Sequence, residues 1–373
     1  MGTRLPYPPR DFARMAEQRM LEVKTMCRSK TQTKTSLSFF TISALAILFG
    51  ASTALADDTA DAVRQAGNVD TQITDELKLA DETFYKAFSD RDIWAMAQVW
   101  FRENAVSAVF PANDKPYFGW DDIRRGWQES FDHNRDIKVK SLAGAIFAKG
   151  DDEGDVAWII ESTQFESVQT QTGQPVLMPN VLSTKIFERH DGKWLLVHYH
   201  ASQPHLVLPE ASGDARASHP VTSASAATDN VKAVDDDFYK AFGQLDLESM
   251  GRIWASSDDV TAIQPDFDIP FAGKEQVMGS WQGIFGHNAS LLVIGPSDAI
   301  HVAGDVAWSV GSYEFLAIRR DTGNTVHLPE VLVTKIFEKQ GGNWQLVHYH
   351  AHVGPARHIH LQQSSASFCA SPF

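Results

Sequence analysis

The chain has little cysteine, since Cys27 and Cys369 are the only two among its 373 residues. A disulfide framework or a thiolate metal site needs several cysteines, and neither terminal position suits a nucleophile. The sequence therefore predicts a fold held together by its core, without thiol chemistry. Its hydrophobic content of 43% and aromatic content of 10% are sufficient for such a core.

Positive charge is also scarce, with 33 Lys and Arg against 47 Asp and Glu. Residues 1–56 hold 8 of those basic and 3 of the acidic residues, so the remainder carries 25 against 44, a net charge of −19. Such a surface repels phosphate backbones and anionic lipid head groups. The composition predicts that neither nucleic acid nor a membrane surface is a partner.

Residues 36–54 form a short apolar run near the start of the chain. Arg28, Lys30 and Lys34 precede this run, and Ala54-Leu55-Ala56 closes it with small residues at the first and third positions. This order is typical of a secretory signal, and a membrane anchor is disfavoured because no basic stop-transfer cluster follows. We expect residues 1–56 to be a leader cleaved after Ala56, and the mature protein to be periplasmic or secreted.

The rest of the chain contains an internal repeat. Residues 84–134 match residues 238–288 at 19 of 51 positions, and residues 155–201 match residues 305–351 at 25 of 47. The offset falls from 154 to 150, so the first copy has four additional residues between 135 and 154, in the turn around residues 150–154. A repeat of this length is a duplicated whole domain.

The composition between and after the copies sets the expected domain limits. An Ala-, Ser- and Pro-rich segment at 204–228 has the composition of a linker, and the tail at 356–373 is similar. We expect the first domain at 72–203 and the second at 229–355.

Each copy predicts helices first and strands afterwards. Leu77, Phe84 and Phe88 share a helical face, Asp92 opens a second helix, and a third contains Trp127. After a short strand at 106–110 and the third helix, four strands follow, joined by short glycine-containing turns, and are therefore antiparallel. The predicted class is α+β, with two tandem cone-shaped domains, each of three helices on a curved antiparallel sheet.

This element order resembles the nuclear transport factor 2-like superfamily, which includes SnoaL-like cyclases and ketosteroid isomerases. The closing segment at 191–200, Asp-Gly-Lys-Trp-Leu-Leu-Val-His-Tyr-His, is similar to the end of the association (hub) domain of calcium/calmodulin-dependent protein kinase II. The resemblance implies a cone whose mouth binds small molecules, but no particular activity, because this fold hosts many. No kinase motif is present in the sequence.

The His-x-His pair in the last strand of each copy is the first candidate site. Strict alternation places Trp194, His198 and His200 on one strand face, and the second copy repeats this pattern with Trp344, His348 and His350. These histidines are candidates for the cone wall, for an interface or, with His133 as third ligand, for a metal site. We expect no metal and no cofactor.

Further ligand-binding candidates come from the resemblance and from the repeat. Lys185 and Lys335 occupy the place where related domains carry a strand arginine that points into the cone, and a lysine there can attract a carboxylate. The remaining candidates are the aromatic and polar pairs of the third helices: Trp127, His133, Asn134, Trp281, His287 and Asn288.

The isomerase mechanism of the superfamily is not expected. Its carboxylate base precedes a proline, and that position is Phe110 in the first copy and Gln264 in the second. We therefore expect a non-catalytic protein that binds a small molecule, partly apolar or anionic, or that assembles through its cones. We also expect the two domains to form an intramolecular pseudo-dimer, with further self-association left open. The alternative is a SnoaL-like lyase, isomerase or hydrolase with His198 or His348 as general base.

Overall fold

The computed structural model describes residues 71–103, 105–113, 115–151, 154–203, 225–265 and 267–354. The predicted leader, both cysteines, most of the linker and the tail lie outside these ranges. Among the described residues, no helix is both long enough and apolar enough to cross a membrane.

The two domains have the same order of elements. The first contains α1 (Thr71–Asp90), α2 (Ile93–Val99), β1 (Ser107–Val109), β2 (Tyr117–Phe118), α3 (Trp120–His133), β3 (Asn134–Asp151), β4 (Gly154–Gln169), β5 (Pro175–His190) and β6 (Lys193–Ser202). The second contains α4 (Ala226–Gln244), α5 (Leu247–Ile253), β7 (Thr261–Ile263), β8 (Phe271–Ala272), α6 (Lys274–His287), β9 (Asn288–Ala303), β10 (Val306–Arg319), β11 (Thr325–Gln340) and β12 (Asn343–Val353).

The second helix of each domain begins at an aspartate. The Asp92 carboxylate accepts hydrogen bonds from the backbone N–H groups of Trp94 and Ala95, and the Asp246 carboxylate accepts one from Ser249. A carboxylate at this position satisfies donors that have no partner within the helix. The predicted starts of these helices are confirmed.

Each domain has one six-stranded sheet, in the order β2-β1-β6-β5-β4-β3 in the first and β8-β7-β12-β11-β10-β9 in the second. The four long strands of each sheet are antiparallel, as predicted. The short β1 instead pairs parallel to β6, which the long connection through helix α3 and the four strands β2 to β5 allows. The α+β class with tandem cone domains is confirmed.

The four additional residues of the first domain lengthen one hairpin. Phe147 pairs with Trp158 across β3 and β4, whereas the equivalent His301 pairs with Trp308 across β9 and β10. The partners are eleven positions apart in the first domain and seven in the second, so the hairpin gains two residue pairs. The insertion lies where the repeat offset placed it.

The predicted alternation along β6 is wrong, because the strand contains a bulge. Ile186 pairs with His198 but Phe187 pairs with Leu196, so Val197 is an additional residue in β6. One additional residue reverses the faces on either side of it. The Trp194 indole accordingly reaches Glu76 on α1, whereas His198 points away from the helices. The bulge recurs between β11 and β12.

Candidate functional site

The histidines of β6 and β12 lie between the two sheets. The Thr334 hydroxyl is 2.9 Å from His198 Nε2 and 2.8 Å from His200 Nδ1. Reciprocally, the Thr184 hydroxyl is 2.8 Å from His348 Nε2 and 2.9 Å from His350 Nδ1. Each threonine of one domain therefore joins two histidines of the other.

Other contacts extend this network across the interface. The rings of His200 and His350 are stacked with centroids 3.7 Å apart. His200 Nε2 lies 2.8 Å from His352 Nδ1, and His350 Nε2 lies 2.8 Å from the Ser202 hydroxyl. The four residues of the two His-x-His pairs are fully buried.

These histidines are held neutral. Burial lowers the pKa of His198 and of His348 to about 3, and burial together with neighbouring imidazoles lowers the pKa of His200 and His350 well below its usual range. A neutral imidazole has one donor and one acceptor nitrogen, which suits a chain of hydroxyl partners. The arrangement is that of a buried interface network.

Of the three roles considered for the strand histidines (cone wall, interface and metal site), this placement matches the interface. His198 also contacts the Ser107 hydroxyl at 2.8 Å, so both ring nitrogens have partners outside the cone. The proposed third metal ligand, His133, instead contacts the Glu129 carbonyl at the end of α3. Within the ranges that the structure describes, no group of three or more His, Cys, Asp or Glu residues is arranged to hold a metal ion.

Inside the first cone, Lys185 is fully buried on β5 and surrounded by oxygen atoms. Its ammonium group forms ion pairs with Asp81 of α1 and with Glu161 of β4. The same nitrogen lies 3.0 Å from the Tyr85 hydroxyl, which donates a hydrogen bond to Glu161. The nitrogen also lies 4.1 Å from the centre of the Tyr85 ring. Lys185 is therefore not a solvated strand lysine.

The second cone has an equivalent cluster. Lys335 Nζ lies 2.6 Å from Asp235 Oδ1 and 2.8 Å from Asp298 Oδ2. The Tyr239 hydroxyl donates to Asp298 at 2.9 Å, and Ser309 donates to Asp235 at 3.3 Å. Each cluster thus combines one lysine, two carboxyl groups and one tyrosine.

One lysine cannot balance two buried carboxylates, and the pKa values reflect this. Burial raises the pKa of Asp81 to about 6, with the Lys185 charge opposing the shift and Glu161 adding to it. Burial likewise raises the pKa of Asp235 well above its usual range, against Lys335 and with the help of Asp298. For Asp298, Lys335 and hydrogen bonds outweigh burial, so its pKa is lowered. In each cluster one aspartate therefore holds its proton to a higher pH than a free aspartate does.

Sequence reasoning missed the four acidic residues of these clusters. Asp81 and Asp235 are equivalent in the repeat, and each precedes a tyrosine by four residues. This spacing places the two side chains on one face of a helix, and it could have identified both aspartates. Glu161 and Asp298 lie on different strands of their sheets and are not equivalent in the repeat. Only the pairing of strands brings them to the same place.

The tryptophans of α3 and α6 lie in the cone core. The Trp127 ring packs at 5.5 Å from Phe84, at 4.7 Å from Phe110 and at 5.4 Å from Tyr199, between centroids. Trp281 has matching contacts with Phe238 and with Tyr349. Both indoles are at most 1% exposed, so they form the inner wall of their cones.

The polar pairs that end α3 and α6 have local partners. The Asn134 side chain donates to the Ser130 carbonyl and accepts from Ser167 of β4. The Asn288 side chain donates to the Ile284 carbonyl. His133 and His287 occupy the last helical turn beside them. The backbone carbonyl groups of His133 and His287 accept hydrogen bonds from the N–H groups of Thr170 and Arg320, so each pair joins its helix to the end of a strand.

Comparison with known sequences supports this architecture. The sequence profile of the SnoaL-like domain matches residues 80–205 and again residues 231–353. The chain belongs to the SnoaL-like domain family. It contains two such domains in tandem, and both lysine clusters fall within the matched ranges.

Individual relatives of this SnoaL-like protein are distant. The F-box protein SKIP8 of Arabidopsis thaliana is 27% identical over 121 residues, which are 32% of this chain and 46% of the plant protein. The chain thus spans about half the length of that curated relative.

Solved structures of similar fold each match about a third of the chain. One, from Streptomyces avermitilis, is described as a candidate dehydratase of the NTF2-like family; it is 20% identical, with a TM-score of 0.31, covering 34% of this chain and 95% of its own. Another, from Thiobacillus denitrificans, is described as a candidate association domain of calcium/calmodulin-dependent protein kinase type II. It is 24% identical, with a TM-score of 0.29, covering 33% of this chain and 93% of its own.

Proposed function

We propose that this protein binds a small, partly apolar molecule in a cone and that its two domains act as a single-chain counterpart of a dimer. The proposal rests on one observation, that the polar residues are divided between the domain interface and the two cones. The strand histidines are committed to the interface, while each cone keeps an aromatic wall and one polar cluster. Concave aromatic surfaces with a few convergent polar groups are typical of ligand sites.

The interface supports the single-chain dimer. Its central hydrogen bonds are reciprocal, with Thr184 and Thr334 in equivalent roles, as in a contact between two copies related by twofold symmetry. Contacts at the periphery add to them: Glu188 lies 3.0 Å from His301, and Lys149 lies 3.3 Å from Glu338. Buried hydroxyls and imidazoles without these partners would be costly, so the pairing of the domains contributes to stability.

The lysine clusters favour an uncharged ligand over an anion. Lys185 and Lys335 each already contact two carboxyl groups, so neither has charge left to attract a further acid. An anionic ligand would meet at least as much negative as positive charge at this wall.

A second candidate function is acid–base catalysis in the first cone. Asp81 favours it, because its pKa is raised to about 6 and its side chain remains 16% exposed. A carboxyl group that titrates near neutral pH can both accept and donate a proton. In this alternative Asp81, and neither His198 nor His348, would be the proton-transferring group.

Native mass spectrometry of the gently purified full chain tests binding. We expect one or more organic molecules bound to the chain, with a mass step that a chelator leaves unchanged. A step that the chelator removes, near the mass of one zinc per domain, would contradict the proposal. Conversion of the bound molecule over time by the native protein, but not by Asp81→Asn, would favour the catalytic candidate.

Export is a further part of the proposal and rests on the apolar run at 36–54 with its basic flank. The intact mass of the protein expressed with its leader in a bacterium is the test. We expect a periplasmic or secreted species that begins at Asp57. A cytoplasmic species that retains residues 1–56 would contradict it.

A further inference from the structure

We infer that the two cones are not equivalent, and that the first binds a neutral phenol-like molecule in the place that the Tyr313 side chain occupies in the second. This inference rests on the proposed binding function and specifies its site and ligand class.

Tyr313 closes the second cone from within. Its hydroxyl lies 2.9 Å from the Tyr349 hydroxyl on β12. Its ring packs against Tyr239 and Phe242, with centroids 5.7 and 6.0 Å away. Tyr313 is 4% exposed and Tyr349 is 0% exposed, so the phenol fills this part of the cone.

The first domain has Thr163 at the equivalent position. Both residues immediately precede the same irregularity in strand pairing, before Phe165 in the first domain and before Phe315 in the second. The Thr163 hydroxyl lies 3.4 Å from the Val181 carbonyl of its own sheet. The first cone therefore lacks the phenol ring that fills the second.

Two residues of the first cone are more exposed than their equivalents in the second, which agrees with a first cone that is less filled. Tyr199, the equivalent of Tyr349, is 6% exposed, against 0%. The Asp81 side chain is 16% exposed, whereas the side chain of its equivalent, Asp235, is 5% exposed. Tyr199 and Asp81 of the first cone are thus slightly more exposed than their counterparts in the second cone.

The contacts of Tyr313 define the ligand class. In the second cone an uncharged aromatic ring lies among aromatic side chains, and its single hydroxyl meets the hydroxyl of Tyr349. The first cone offers the equivalent side chains Tyr85, Phe88 and Tyr199, and the Phe110 ring lies 5.9 Å from the Tyr199 ring, between centroids, where the second cone has Gln264. Burial raises the pKa of Tyr199, so its hydroxyl keeps its proton and can donate to a ligand oxygen. A planar neutral phenol satisfies both the shape and the hydrogen bond.

Fluorine NMR titration of the full chain with 4-fluorophenol tests this inference, with fluorobenzene and 4-fluorobenzoate as matched probes. We expect one 4-fluorophenol per chain and weaker binding of both other probes, since one lacks the hydroxyl and the other is charged. Tyr199→Phe should weaken 4-fluorophenol binding about five- to tenfold through loss of one hydrogen bond.

Exchange of the distinguishing residue provides the decisive variants. Thr163→Tyr should abolish binding, because its phenol ring would fill the first cone as the Tyr313 ring fills the second. Tyr313→Thr should raise the stoichiometry from one to two, whereas the control Tyr313→Phe should leave it at one, because the ring remains. The two designs are independent, so a folding failure of either still leaves the other decisive.

Several results would overturn the inference. These are two sites in the native chain, no 4-fluorophenol binding at all, binding that survives Thr163→Tyr, or an unchanged stoichiometry in Tyr313→Thr. A different organic molecule found in native mass spectra would in that case leave the broader binding function standing. Absence of any bound molecule and of binding by all three probes would contradict both.

Discussion

The two domains build the same buried cluster from different strands. In the first, Glu161 of β4 supplies the second carboxyl group and pairs across the sheet with Gly144 of β3. In the second, Asp298 of β9 supplies it and pairs with Gly311 of β10. The acid and the glycine have exchanged strands. The composition of the cluster is thus maintained, while the strand that supplies its second carboxyl group differs between the domains.

The glycine opposite each acid has a steric reason in the first domain. A Cβ atom added to Gly144 would lie 3.0 Å from the Glu161 Cβ and 3.2 Å from the Ile160 carbonyl oxygen. Such distances are shorter than ordinary contacts, so a side chain at both positions would force the strands to move. A side chain at position 144 is therefore accommodated only if Glu161 and its strand shift by a few tenths of an ångström.

Removal of the lysine should give the largest effect and should differ between the domains. Lys335→Met leaves Asp235 and Asp298 without a counter-charge, and we expect a loss of about 3–5 kcal/mol in the free energy of unfolding. Lys185→Met should cost less, because Asp81 is partly exposed and can be hydrated. Chemical denaturation measures both, with exposed Lys86→Met as the control. Equal losses would show that the two clusters are equally closed.

Transfer of the acid across the first sheet tests the exchange itself. Glu161→Gly and Gly144→Asp should each destabilise the fold by about 2–3 kcal/mol, one by removing an ion-pair partner and the other by crowding. The double variant reproduces the second domain and should recover at least 1 kcal/mol relative to the sum of the single effects. Strictly additive losses in denaturation would show that the strands are not interchangeable.

The raised pKa of Asp81 gives the first domain a pH dependence. The folded pKa of Asp81, about 6, lies above its ordinary value of 3.8, so its contribution to stability is present at low pH and is lost as pH rises through 6. The shift corresponds to at most about 3 kcal/mol. Denaturation between pH 4 and 7 should show this decline, and Asp81→Asn should flatten it. If the slope of unfolding free energy against pH were the same in Asp81→Asn as in the native protein, a group other than Asp81 would be responsible for it.

The interface threonines should give the smallest and most symmetric effects. Thr184→Val and Thr334→Val each remove a hydroxyl that contacts two imidazoles, with an expected cost of about 1–2 kcal/mol. Because their surroundings are reciprocal, the two losses should agree closely. Thr83→Val, in which the lost hydroxyl is exposed on α1, is the control. A large difference between Thr184 and Thr334 would show that one half of the interface dominates.

The fold was predictable because its signals are local or repeated. Asp92 marks a helix start within a few residues, and the shift in repeat offset locates the longer hairpin. The bulge at Val197 was not predictable, because its sequence alternates as an ordinary strand does, and it reversed the expected face of Trp194. The lysine clusters were missed for a related reason. Glu161 and Asp298 become equivalent only through strand pairing, which an alignment of the two copies does not contain.

Because the two domains belong to one chain, their sequences can diverge independently. Two separate subunits made from one gene must carry every substitution twice, so a side chain that fills one cone would fill both. Joined in one chain, the halves meet at a fixed effective concentration and stay paired at any dilution. Each half can then accept its own substitutions. Tyrosine at this position of one cone and threonine at the same position of the other is a difference that two identical subunits cannot have.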